Sequence, residues 1–148
     1  MATKSIYKLE DERITSDSIV HKTGENTYKN LKDILNFKNQ ILWEGAQYMN
    51  ASQKAQLSQK LSEQKYGIVM IFSGYSDGVA KNWNHACYFI PKSFIQFWNG
   101  GGVMIPLGGT QGVAASKYIY IYDDRLEGND SNQSASSKEY VLSQVIGV

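Results

Sequence analysis

The 148-residue sequence has little of what most catalytic, metal-binding or membrane proteins display: one cysteine, two prolines, two histidines and a formal net charge of only +1. The single thiol, Cys87, excludes an intrachain disulfide and most structural zinc sites. With His21 and His85 the only imidazoles, a multi-histidine metal centre is disfavoured too. Near-neutral charge supplies no global field to attract nucleic acid or an anionic membrane. No apolar run approaches the roughly 20 residues of a membrane span. The opening Met-Ala-Thr-Lys-Ser lacks the apolar segment of a signal peptide. The expectation is a chain made in a reducing cytoplasm, with no membrane span, no nucleic-acid partner, no metal and no cofactor.

What is present leans toward β structure. Hydrophobic residues make up 42% and charged residues 20%, a globular balance, and there are 10 tyrosines and 13 glycines. Roughly one third of residues 1–40 is charged, against about 15% of the remainder. Residues 1–40 therefore read as an attachment arm or linker, and 41–148 as the folded domain. Within the arm, Tyr28, Leu31 and Leu35 recur at helical spacing behind Asn26 and Thr27, plausible caps, so the arm is expected to be extended or partly helical.

The domain reads as strands punctuated by turns. Ile41 to Met49 is a strand with a candidate bulge or close contact at Gly45. Gln53 to Lys65 is ambiguous: Leu57 and Leu61 favour a helix by propensity, and a strand followed by a turn is the alternative. Gly67 to Ser73 and His85 to Ile90 are apolar on both parities, as strands buried on two faces should be. Ser76-Asp-Gly78 is a turn, and Pro91 stops the second of those strands. Asn99 to Gly102 and Gly108 to Gly112 read as glycine loops flanking a strand at Val103 to Leu107. Ser116 to Asp124 carries the plainest strand signal, with Tyr118, Tyr120 and Tyr122 alternating with Ile119 and Ile121. Neither edge is polar, so the tyrosines read as sandwich interior or covered interface. This strand is expected to pair with the last one, Tyr140 to Val148, across a polar loop. About seven short strands at this spacing point to an all-β antiparallel sandwich, jelly-roll-like.

Few residues suggest chemistry. His85 and Cys87 share one strand face at i, i+2, but a thiolate–imidazole pair also needs a third group to orient the ring. Between Ala86 and Tyr88, Cys87 reads as a small buried hydrophobe. Asp123, Asp124, Glu127, Asn129 and Asp130 are oxygen-rich, yet their spacing does not fit an EF-hand, and a solvated turn is the simpler reading. Nothing fixes the separation a glycosidase carboxylate pair requires. The glycine loops lack the Gly-Lys-Ser/Thr of a phosphate cradle. Trp83, Tyr75, Trp98 and Tyr88 lie in or beside loops, where aromatics cap core ends, stack on sugars or anchor interfaces. Trp83, Tyr75 and Trp98 are taken as candidate ligand or interface contacts.

Several segments together resemble a module of tail proteins from siphophages that infect Gram-positive bacteria. They are Leu42-Trp-Glu-Gly-Ala-Gln-Tyr-Met-Asn50, Leu57-Ser and Leu61-Ser, Gly67-Ile-Val-Met-Ile-Phe-Ser73 with Tyr75, and Tyr88-Phe-Ile-Pro-Lys92. Ser116-Lys-Tyr-Ile-Tyr-Ile-Tyr-Asp-Asp-Arg125, Gly128 and Tyr140-Val-Leu to Val-Ile-Gly-Val148 complete the likeness, which spans nearly all of residues 42–148. Asp17 to Gly24 is similar to a short repeat of tail-fibre and baseplate stems, from which Tyr28-Lys-Asn-Leu31 departs.

The resemblance implies a non-enzymatic virion component of the distal tail or baseplate, similar to the shoulder domain of a receptor-binding protein. It implies other tail-tip proteins as partners, reached through the arm, and a location at the virion tail tip. A homo-oligomer in the virion and a monomer before docking both stay open. It also favours a strand at Lys54 to Ser58 with a turn at 62–66. The alternative function is a carbohydrate-binding module for host cell-wall polysaccharide.

Overall fold

The computed structural model describes residues 20–24, 27–30, 40–108 and 114–148. The chain divides into two compact units, Met1–Lys38 and Asn39–Val148. In the first, β1 (Val20–Gly24) and β2 (Thr27–Asn30) form an antiparallel hairpin. Tyr28 thus lies in a strand rather than on the helix its spacing with Leu31 and Leu35 suggests; those two leucines lie outside the described residues. Two segments paired at two-residue separation satisfy their backbone groups locally, which isolated helical spacing does not guarantee.

The second unit is built from two antiparallel sheets, as an all-β sandwich-like fold should be. One sheet runs β3 (Gln40–Gln47), β11 (Tyr140–Gly147), β5 (Gly67–Ser76), with β6 (Val79–Ala80) and β7 (Ala86–Pro91) both pairing with β5. The other runs β4 (Lys54–Gln56), β10 (Arg125–Glu127), β9 (Ala115–Ile121), β8 (Gly101–Gly108). A short helix, α1 (Ser93–Trp98), carries the chain from β7 to β8.

Strand periodicity explains the core. From β5, Ile68, Met70 and Phe72 point inward with no exposure; from β9, Ile119 and Ile121 do the same. They meet Leu42, Ile105, Leu126, Leu142 and Val145 between the sheets. Each such side chain contributes about 1.5–3 kcal/mol by leaving water.

Several expectations are corrected by the pairing. The strands at 115–121 and 140–147 do not pair: β9 lies between β8 and β10, and β11 lies between β3 and β5. The segment between them is long enough to hold β10 and two 3-10 turns, so it crosses from one sheet to the other. The aliphatic edge of β9 is interior, whereas Tyr118, Tyr120 and Tyr122 are half-buried on its outer side. They find cover there: Tyr118 and Tyr120 meet edge to face at 5.3 Å, and the Arg125 guanidinium lies 3.9 Å from the Tyr122 ring centre. Gly101 and Gly102 belong to β8 rather than to a loop, because the Tyr118 hydroxyl occupies the place of a side chain at 102.

β5 and β7 are also covered less than their sequences suggest. Cys87 is exposed, not a buried hydrophobe, and Phe89 is 52% exposed. Both occupy the parity of β7 that faces away from the second sheet, where nothing among the described residues fully covers them. The loop read at Gly108–Gly112 lies outside the described residues beyond Gly108. Lys54–Gln56 forms a strand, as the resemblance favours for Lys54 to Ser58, and Leu61–Glu63 is a 3-10 turn rather than the helix that propensity alone suggests. Gly45 sits where β3 and β11 slip register, and a Cβ there would come within 2.7 Å of the Trp43 ring.

Candidate functional site

The outer face of the five-stranded sheet is organised in rows by its register. One row is apolar: Ile41 pairs with Ile146, Ile146 with Val69 and Val69 with Phe89. Cross-strand partners project to the same side of a sheet, so these four side chains form one stripe across four strands. Its ends are open, with Ile41 50% and Phe89 52% exposed. The adjacent row is mixed: Glu44, Gln144, Ile71 and Cys87.

Beyond that row, the β5–β6 hairpin and the loop to β7 lie over the sheet and enclose a polar groove of about 320 Å³. The hairpin turns on Asp77 and Gly78, both at positive φ, 55° and 79°. Lys81 Nζ reaches back to Asp77 at 3.2 Å, and this hydrogen bond, with one from Ser76, holds the Asp77 carboxyl below its usual range. Glu44 accepts from Gln144 Nε2 at 3.0 Å, and Asn82 Oδ1 lies 3.2 Å from His85 Nε2. On the floor, Ser73 is 1% exposed and its hydroxyl has no hydrogen-bond partner. Such an unsatisfied hydroxyl costs about 1–3 kcal/mol.

The three aromatic candidates divide between two ends of the domain. Trp83, 46% exposed, lies over Gly74, where an added Cβ would meet its ring at 2.1 Å. Its carbonyl accepts from the Gly74 N–H at 3.0 Å. Tyr75, the next residue of β5, packs edge to face on Tyr48 at 4.9 Å. Burial, with Tyr75 adding to it, raises the Tyr48 phenol above its ordinary pKa. Trp98 ends α1, 62% exposed, with Phe94 and Phe97 each 5.7 Å away. The six residues of β7 separate the Trp83 end from the Trp98 end by about 20 Å. Trp83 and Tyr75 therefore lie at the same end but on opposite faces of β5, and Trp98 is remote from both. Tyr88 is committed to the core, donating its hydroxyl to the Pro106 carbonyl of β8.

A second groove, about 500 Å³, opens at the Trp98 end between Tyr66, Pro91, Lys92 and Ile95. Lys65 Nζ stands 4.9 Å from the Tyr66 ring centre at its edge.

The acidic loop is occupied by internal contacts. Asp123 accepts from the Ser62 N–H and hydroxyl at 2.8 and 2.9 Å. Arg125 bridges Asp124 and Glu127 at 2.9 and 2.8 Å, and Lys54 reaches Glu127 at 2.9 Å. Arg125, then Lys54, keep the Glu127 carboxyl below its ordinary pKa.

Beneath that loop lies a polar cluster invisible from sequence spacing. Asn132, 1% exposed, donates to the carbonyls of Met49 and Tyr118 at 2.6 and 2.9 Å and accepts the Tyr118 N–H at 2.7 Å. Lys117, fully buried, donates to the carbonyls of Tyr48 and Asn132 at 2.9 and 3.4 Å. Burial lowers its pKa to about 8. Every partner is a backbone carbonyl or a core-facing group, so this cluster ties the loop to both sheets.

No protein-family model matches this chain, and no curated protein matches it.

Proposed function

We propose that this chain is a structural, non-enzymatic module of a bacteriophage distal tail or baseplate, serving as spacer or adhesion unit in host attachment. The likeness of residues 42–148 to siphophage tail modules supports this reading. The structural observation that carries it is the solvent-facing stripe of Ile41, Ile146, Val69 and Phe89. A contiguous apolar row on a small domain is characteristic of a surface that another protein covers. Burying an Ile or Phe contributes about 1.5–3 kcal/mol, so a few of them suffice to decide assembly. In this reading the arm attaches the chain to neighbouring tail-tip proteins, and the sandwich stands as a rigid unit at the virion tail tip.

The test is incorporation. Wild-type protein should bind isolated tails and be labelled by antibody on the virion, while Phe89→Glu should fold with an unchanged melting temperature and fail to incorporate. Absence of wild-type binding together with an unlabelled virion sinks the proposal.

A further inference from the structure

We infer that the groove between the outer face of the five-stranded sheet and the β6–β7 loop is a binding site for a neutral saccharide of one or two rings. The inference goes beyond assembly and stands whether or not the chain belongs to a tail. Its first support is size: about 320 Å³ lies at the lower end of the range of small-molecule sites. Its second is the kind of group on the walls. Glu44 offers acceptors, Gln144 and Asn82 offer both donors and acceptors, and His85 lies 3.2 Å from Asn82. Sugar hydroxyls donate and accept at once, and such a mixed set matches them.

The groove also carries no surplus of positive charge. Lys81 is paired with Asp77, and Glu44 supplies a negative group. A phosphate or uronate would meet Glu44 without a free cation to compensate, so the chemistry favours an uncharged ligand. The floor is polar as well, since Ser73 lines it.

The groove draws Glu44, Ser73, Asn82 and Gln144 from widely separated parts of the chain. Their convergence comes from the sheet register and from the loop laid over it.

The experiment uses the full 15N-labelled chain, titrated with a panel of neutral mono- and disaccharides, and with polyglycerol phosphate and a sialylated trisaccharide as charged probes. At least one neutral sugar should bind with a dissociation constant of about 1 mM or tighter. It should shift the amides of Asn82, His85 and Gln144, leaving the Trp98 indole in place. Glu44→Gln and Asn82→Ala should each weaken binding about tenfold or more, with melting temperatures unchanged. Three outcomes overturn the inference: no neutral sugar binds, the shifts fall at Tyr66 and Trp98, or binding survives both substitutions. Preference for a charged probe also overturns it.

Discussion

Lys117 Nζ donates to the carbonyl oxygen of Tyr48 at 2.9 Å from a position with no solvent exposure, and no carboxylate pairs with it among the described residues. A lysine solvated mainly by carbonyls in a core has a cost in its charged form, and that cost has a pH signature.

The folded-state pKa of Lys117, lowered by burial to about 8, lies below the ordinary lysine value of 10.5. Between these values the unfolded chain binds more protons than the folded one, so stability rises with pH. The penalty is fully present below pH 8 and is relieved as pH climbs toward 10.5. Urea midpoints should therefore increase from pH 8 to pH 10, by an amount worth about 2–3 kcal/mol at most. Lys117→Met should remove this slope; an equal slope in the variant would assign it elsewhere.

Asn132 is expected to be the most sensitive polar side chain. Asn132→Ala leaves the Met49 and Tyr118 carbonyls and the Tyr118 N–H without this partner in a buried place. Chemical denaturation should show a loss of about 2–4 kcal/mol. A loss below about 1 kcal/mol would mean that water replaces the amide.

Two glycines should respond very unequally to the same substitution. A Cβ at Gly128 would lie 1.9 Å from the Met49 carbonyl oxygen, a backbone atom that no rotamer change removes. At Gly78 the space is open, and only the φ of 79° opposes a side chain. Gly128→Ala should cost more than about 3 kcal/mol or prevent folding, and Gly78→Ala about 1 kcal/mol. Thermal melts of the two variants compare them directly.

The Cys87 thiol should react with a thiol reagent in the native protein, to the same stoichiometry as in denaturant. A protected thiol would contradict the exposed position of Cys87 on β7.

Much of the sandwich was legible because local chemistry and tertiary need agree. Alternation along 115–121 and the Asp-Gly turn at 77–78 specify a strand and a hairpin whatever surrounds them. Which strands pair was not legible, since β9 and β11 look alike in pattern and only the length of the intervening segment separates them into different sheets. Parity misled in two places. Lys117 shares the aliphatic edge of β9, and its burial depends on carbonyls supplied by residues 48 and 132. Cys87 and Phe89 look like core residues, yet they face outward because no third layer covers β7 among the described residues. The groove beside the β6–β7 loop has Glu44 and Gln144 as polar walls, and these stand 100 positions apart. No reading of neighbours in sequence joins them.

The place of β11 has a consequence for biosynthesis. β5 leaves the ribosome well before β11, the strand that pairs with it from Ile68 to Gly74. Roughly sixty residues separate the two, about 3–12 s of elongation at ordinary speed. During that interval Ile68, Met70 and Phe72 have no completed sheet to enter. The nascent chain is then most vulnerable to pairing with a neighbour of its own kind, and slower translation of residues 77–139 should lower the soluble yield.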